Sequence, residues 1–261
     1  MNEKLSVSVI ITTYKRFDRL KKCIESVLAQ TYRPTRIIVV HDGPSTEFDN
    51  FHCSVLSNEV EIVCKNTPDW NGRPAPGRNF GLQFVQDDLV AFCDDDDIWF
   101  PEKLERQVKF ISDDVDCVFS GYIPLYEGDK LPNISTNESG GNIVAAINLI
   151  DFLNGNGLCL SSSLIKSSIV RDHKFNETAF VRAFEDYVLW LDLLLNNVRI
   201  INLNASLLFY LSNNSSSIRK GKFQHNLRLS LTIFFMLFIN KRFSLAIMSP
   251  FIRLKYLIFK K

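Results

Sequence analysis

The sequence predicts an α/β protein, a doubly wound and mostly parallel sheet followed by a helical C-terminal extension that is basic and apolar. Three observations carry that expectation. Short β-rich apolar runs alternate with segments of helical period through the first 120 residues. One of these runs, 89–93, stops abruptly in four consecutive carboxylates, Asp94, Asp95, Asp96 and Asp97. The chain has 261 residues, 46% hydrophobic and 23% charged, which is enough to bury a large core and is not a disordered composition.

Taken in order, 7–13 reads as a strand, and 17–30 as a helix whose Leu20, Ile24, Val27 and Leu28 recur at helical spacing. A second strand at 37–40 ends at His41, Asp42, Gly43 and Pro44. Strand, helix and strand joined by short links make a parallel βαβ unit. A helix over 45–56, a strand at 61–64 and a helix over 74–86 lead into the acid-tipped run, and Trp99 to Lys103 looks like the start of the next helix, with Pro101 suited to its first turn. Beyond 115–120 the pattern loosens. Residues 125–142 are polar and read as a surface excursion, 158–165 as a strand, and an apolar helix opens at Glu185 and Asp186 and ends at Asn196 and Asn197. Closing strands are expected at 198–202 and 206–211, with a loop at 213–217.

Charge and cysteine usage exclude several classes. The net charge is +1, so global electrostatics gives no reason to expect a nucleic-acid partner. The six cysteines (Cys23, Cys53, Cys64, Cys93, Cys117 and Cys159) occur singly, mostly in apolar runs, which predicts buried free thiols rather than a disulfide framework or a zinc site. No cleavage signature follows the apolar run near the N-terminus, and no stretch reaches the roughly 18 apolar residues of a membrane span. These features predict a cytoplasmic protein.

Open α/β sheets gather ligands at the C-terminal ends of their strands, which here carry Thr13 and Tyr14, Asp42, and Asp94 to Asp96. Four adjacent carboxylates repel, so some must protonate, turn to water or share a cation, and a hard divalent ion such as Mg²⁺ or Mn²⁺ is the simplest solution. The alternative is a solvated turn in which Asp97 caps the next helix. Asp42-Gly43 read alone could be only a turn, and Thr13 to Arg16 only a helix start; their joint occurrence at successive strand ends favours a site. The glycine- and proline-rich loop at 71–81, with Arg73 and Arg78 beside a helix N-terminus, suits an anion such as a diphosphate. Glu185 and Asp186 in a first helical turn are expected from the helix dipole alone.

These pieces together resemble the family 2 inverting nucleotide-sugar glycosyltransferases, which have a Rossmann-like GT-A fold. The resemblance rests on residues 9–16, 39–43, 72–81, 94–99 and 185–190, in that order, and covers about 5–215. It implies that residues 1–120 bind the nucleotide-sugar, that 121–218 form the acceptor half of the same domain, and that 219–261 are an extension. Carried over by position, it implies that Thr13, Tyr14 and Arg16 line the nucleoside pocket, that Asp42 contacts the base, and that Arg78 lies near the diphosphate. Asp94 and Asp96 would be the acids of an Asp-x-Asp motif holding Mn²⁺ or Mg²⁺, with Asp96 nearest the metal and Asp95 on the donor side. Asp186 would be the general base, and Glu185 and Trp190 would face the acceptor. A UDP-sugar donor and a saccharide or lipid-linked saccharide acceptor follow from the same resemblance, as does a role in surface polysaccharide or glycolipid synthesis. Departures include His41 in place of an acid or amide, Pro44 after the glycine, and the absence of Arg and His after Tyr210. The rivals are a nucleotidyltransferase, disfavoured because the first strand ends without a glycine-rich loop, and a non-catalytic nucleotide-sugar-binding module.

From His225 onward the chain has no acidic residue, while Arg228, Lys241, Arg242, Arg253, Lys255, Lys260 and Lys261 punctuate an apolar segment. Residues 227–261 therefore suit either an in-plane anchor at the inner face of an anionic membrane or a helix pair packed on protein.

Overall fold

In the computed structural model the described residues are 4–52, 60–68, 72–126, 129, 144–155, 158–212 and 217–250. The predicted excursion lies mostly outside them, as do the end of the 45–56 helix, most of the 213–217 loop and the last eleven residues of the tail. The first half follows the predicted alternation: β1 (Val7–Thr13), α1 (Phe17–Leu28), β2 (Arg36–His41), α2 (Thr46–His52), β3 (Glu61–Asn66), α3 (Pro74–Leu82) and β4 (Leu89–Asp94). β3, β2, β1 and β4 lie side by side in parallel. The fully buried faces of β1, β2 and β4 explain why these strands read as continuous apolar runs rather than as alternating ones.

The second half turns the sheet antiparallel and then parallel again. It comprises β5 (Ile98–Trp99), α4 (Lys103–Val108), β6 (Cys117–Tyr126), β7 (Val144–Ile147), α5 (Leu149–Asn154), β8 (Leu164–Lys166), α6 (Ser167–Asp172), α7 (Glu185–Leu195), β9 (Ile200–Ser212) and α8 (Ser217–Ile239). β8 pairs antiparallel with both β4 and β6, β6 runs parallel to β9, and β5 and β7 both pair antiparallel with β9. Three sequence expectations change here. The stretch 158–165 is a 3-10 turn followed by the short β8, because Ser162 and Ser163 turn their hydroxyls back onto backbone carbonyls at Cys159 and Leu160. The two closing strands are one 13-residue strand, bent at register shifts opposite Ser120 and Gly121. Trp99 belongs to β5, and the helix starts four residues later.

α3 packs close over β1 and β2. A Cβ on Gly81 would sit 2.9 Å from Ile10 Cγ2, and one on Gly77 would sit 3.2 Å from Thr12 Cγ2, so the glycines let the helix approach and seat Arg78 at the sheet edge. Beneath the acidic strand end, Lys103 is 0% exposed. Its ammonium donates to Gln107 Oε1 (2.8 Å) and the Ser163 carbonyl (3.3 Å) and lies 3.8 Å from the Trp99 ring centre. Burial pushes its pKa down to about 7. Between that value and the ordinary lysine pKa of about 10.4 the unfolded chain holds a proton the folded chain has released, so stability rises with pH through this window. Urea titrations should show wild type gaining about 2 kcal/mol relative to Lys103→Met between pH 7 and pH 9; parallel curves would mean that Lys103 is charged in the core.

α8 is apolar on two sides. Leu229, Ile233 and Leu237 are buried in the same core as α7, while Leu227, Leu231, Phe235, Phe238 and Ile239 face outward. Packing on protein accounts for the inner face only. Among the described residues no helix is long and apolar enough to cross a membrane.

Candidate active site

A cavity of about 440 Å³ opens at the C-terminal ends of β1 and β4, walled by the Gly72–Pro74 loop, the end of β9 and the start of α7. This is the crevice where open α/β sheets bind ligands. Thr13, Tyr14, Arg16, Arg78, Asp94, Asp96, Glu185 and Asp186 all line it. So do Thr12, Arg73, Leu160, Ala183, Tyr210, Leu211 and Ser212. Tyr210 to Ser212 reach the site because β9 stays paired with β6 as far as Ser212 opposite Tyr126, a long-range pairing that no local pattern announces.

The four consecutive aspartates sort themselves by direction. Asp94 and Asp96 face the cavity, whereas Asp95 and Asp97 are fully buried. The Asp97 amide donates to the Asp94 carbonyl (3.1 Å), closing the turn that makes the side chains alternate. Asp97 Oδ1 accepts the Leu211 amide (3.1 Å), so Asp97 ties the end of β9 to the acidic turn and is not a helix cap. Burial, with Asp94 adding to it, drives its pKa well up. Asp95 likewise turns away from the donor space assigned to it above: its Oδ2 accepts from Thr13 Oγ1 (2.6 Å), and its Oδ1 lies 2.5 Å from Arg16 Nη2. Burial pushes Asp95 up to about 7 against the pull of Arg16. Asp95 thus positions Thr13 and Arg16 from behind.

Arg78 joins the two ends of the cavity. Only 6% of its side chain is exposed; Nη2 lies 2.7 Å from Asp94 Oδ1, and Nη1 lies 3.0 Å from Glu185 Oε1. Burial opposes its charge, but Asp94 and Glu185 outweigh that cost and hold its pKa above the ordinary value. Arg16 plays the matching part at the rim, 2.7 Å from Asp96 Oδ2. Asp186, half-buried at the start of α7, has its pKa raised to about 6, first by removal from water and then by the Glu185 charge. It is preceded by Ala183, a non-glycine residue at φ 72°, in the left-handed region that stores strain at sites.

Two residues expected at the site do not line this cavity. Trp190, expected to face the acceptor, is 0% exposed and packs edge-on against Phe119, 4.8 Å between ring centres, because α7 is apolar on nearly every face and most of it is sunk in the core. Asp42 does not line the cavity; it is 8% exposed, and its Oδ2 accepts the Gly72 amide (2.5 Å), so it holds the loop that does. The rival acid Asp192 lies outside the cavity, 2.6 Å from His173 Nδ1.

The sequence model of glycosyl transferase family 2 matches residues 8–172, more than half of the chain. The chain belongs to glycosyl transferase family 2. It is 28% identical over 200 residues to the Escherichia coli UDP-Glc:alpha-D-GlcNAc-diphosphoundecaprenol beta-1,3-glucosyltransferase WfgD, covering 75% of this chain and 73% of that one. WfaP, an E. coli enzyme named for the same activity, is 27% identical over 226 residues, 86% of this chain and 84% of its own. An uncharacterized Rickettsia bellii glycosyltransferase is 28% identical over 197 residues, 74% of this chain, but this chain covers only 27% of that protein. Among solved structures, residues 1–349 of Staphylococcus aureus TarS in complex with UDP-GlcNAc superpose with a TM-score of 0.66 at 19% identity, over 87% of this chain and 65% of that one. The mannosyltransferase PcManGT from Pyrobaculum calidifontis, in complex with GDP-Man and Mn²⁺, gives 0.61 at 13% identity, over 89% and 63%. These likenesses establish the GT-A fold of this family 2 member.

The donor set at the strand end fits a hard divalent ion. Arg78 engages one oxygen of Asp94, and Arg16 engages one oxygen of Asp96, which leaves each carboxylate a second oxygen. No three His, Cys, Asp or Glu side chains among the described residues form a ligand cluster. Two protein carboxylates with the rest of the shell supplied by phosphate and water is the usual arrangement for Mg²⁺.

Proposed function

We propose that this family 2 glycosyltransferase moves a sugar from a nucleotide diphosphate, a UDP-sugar in the first instance, to an acceptor hydroxyl with inversion. The observation that carries the reading is the convergence of two carboxylate pairs, Asp94 with Asp96 and Glu185 with Asp186, on one cavity, where Arg78 joins Asp94 to Glu185. One pair suits a leaving diphosphate and the other an incoming nucleophile.

Asp186 accepts the acceptor hydroxyl's proton as that oxygen bonds to the anomeric carbon, and the bond from that carbon to the diphosphate breaks on the opposite face. A pKa of about 6 leaves Asp186 mostly ionised at neutral pH yet basic enough to take the proton. Arg78 and Arg16 offer fixed cationic charge beside the departing diphosphate, where preorganised charge stabilises most. Asp94 and Asp96 would hold Mn²⁺ or Mg²⁺, which when bound neutralises charge on the leaving phosphates. Glu185 sets the charge around Asp186 and meets acceptor hydroxyls.

The names of WfgD and WfaP support a lipid-linked saccharide acceptor in surface polysaccharide or glycolipid synthesis, which would place the reaction at the inner face of the membrane. The lack of a basic glycine-rich loop after β1 disfavours nucleotidyl transfer, and the two acid pairs gathered at one cavity disfavour a mere binding module. A panel of nucleotide-sugars, assayed for slow donor hydrolysis with Mn²⁺ or Mg²⁺, tests the reading. Hydrolysis of one UDP-sugar, abolished by chelation, is expected. Turnover of none, with nucleotide still bound, would favour the binding module; full turnover in metal-free buffer would remove the metal from the site.

A further inference from the structure

We propose that the outward face of α8, with the helical residues 243–250 that follow it, is a docking surface for an anionic lipid bilayer. Leu231, Phe235, Phe238, Ile239, Phe243 and Ile247 are 40–74% exposed on this face. Soluble proteins rarely leave so many large apolar side chains side by side in water. The side chains form a connected ridge: Phe234 touches Phe235 and stacks on Phe238, and Phe238 meets Phe243 edge-on at 5.2 Å across the turn. The opposite side of α8 is already satisfied, with Leu229, Ile233 and Leu237 buried against the domain, so the outer face is not a core surface waiting for the same partner. A helix with apolar side chains all round needs a second apolar medium on its free side.

Charge decides which medium. From Leu193 to Lys261 the sequence contains no Asp or Glu. Lys241 and Arg242 are exposed at the turn in the middle of the ridge. A protein partner would be expected to meet some mixture of signs, whereas apolar side chains flanked only by cations match the boundary between acyl chains and anionic headgroups. The ridge is also joined to the acceptor side of the cavity. Arg228 of α8 donates to the Phe180 carbonyl (3.2 Å); Phe180 is itself 48% exposed, and Ala183 three residues later lines the cavity near Asp186. A membrane seated on the ridge would thus lie next to the proposed acceptor approach, a consequence that rests on the activity proposed above; the lipid contact itself does not.

The test is flotation of the full chain with vesicles of 30% phosphatidylglycerol in phosphatidylcholine, at low and high salt and without any donor. Binding to the anionic vesicles is expected, weakened tenfold or more by a Phe235→Ser/Phe238→Ser double variant and severalfold by Lys241→Glu/Arg242→Glu, with the same thermal melting as wild type for the charge variant. High salt should mimic the charge variant. If the chain ignores anionic vesicles at low salt, the proposal fails. It also fails if light scattering shows a dimer that the phenylalanine variant splits while no lipid is bound, since the ridge would then be a subunit interface. Vesicle binding by a chain that hydrolyses no nucleotide-sugar in the donor panel would count against the activity reading and leave this one standing; donor hydrolysis without vesicle binding would do the reverse.

Discussion

Asp186→Asn should bind nucleotide and metal as wild type does and lose transfer by about a hundredfold or more, the usual worth of a positioned base. Asparagine keeps the shape and cannot take a proton. The pH profile separates this from a structural defect. With its pKa raised to about 6, Asp186 should give wild-type kcat/KM an acidic limb near that pH, falling about tenfold for each further unit, and the variant's residual rate should lack the limb. Glu185→Gln should move the limb toward acid, because the Glu185 charge is one of the forces raising Asp186. Stability moves in the opposite sense to activity. Between the ordinary aspartate pKa of about 3.9 and about 6 the folded chain holds a proton the unfolded chain has lost, so ionising Asp186 costs stability as pH rises through that window. The asparagine variant escapes that cost and should be more stable by about 1–2 kcal/mol at pH 7, with no gain below pH 4. A variant that melts early, or that transfers sugar at a near-normal rate, would remove Asp186 from the role. Asp192→Asn, at a residue held by His173 outside the cavity, should transfer normally.

Asp96→Asn is expected to lower turnover by two to three orders of magnitude, the scale seen when one preorganised stabiliser of developing charge is removed. On the proposed reading the leaving diphosphate would gain negative charge as the sugar departs, and Asp96, which lies 2.7 Å from Arg16, would both hold a divalent ion and orient that arginine. These two roles are separable. If orienting Arg16 is the larger part, Arg16→Lys should reproduce the defect and excess Mn²⁺ should not relieve it; if metal affinity is the larger part, raising Mn²⁺ should restore much of the Asp96→Asn rate and leave Arg16→Lys unchanged. The fold should survive, since burial already holds the Asp96 pKa up and the neutral amide is spared that cost. Near-normal turnover at low metal would show that the acidic strand end serves the fold alone.

Much of this molecule was legible without coordinates because its first half is built from local rules. Buried parallel strands must be apolar runs, their connecting helices must show an apolar stripe, and polar residues at the strand ends must fall on one edge of the sheet; β1, β2, β4 and the cavity positions of Thr13, Tyr14 and Asp94 follow from that. The acids at the start of α7 were visible for the same reason, although a helix dipole would explain them equally well.

Only long-range packing could decide the rest. Which of four adjacent aspartates face the cavity depends on the turn closed by the Asp97 amide and on the anchoring of Asp97 to Leu211, 114 residues away. That Arg78 bridges Asp94 and Glu185 depends on the seating of α3 over β1 and β2, which brings residues 107 apart into one ion pair. The burial of Trp190 was not legible because α7 is apolar on nearly every face, so its periodicity carries no direction, and the core side was chosen by Phe119 on β6. α8 has the same ambiguity with the opposite outcome. The two sides of that helix have similar composition, and only its contact with the domain determines that Ile233 is inside and Phe235 is not. Local patterning fixes where an apolar or charged residue falls along an element; the direction it faces is settled by which other element arrives to bury it.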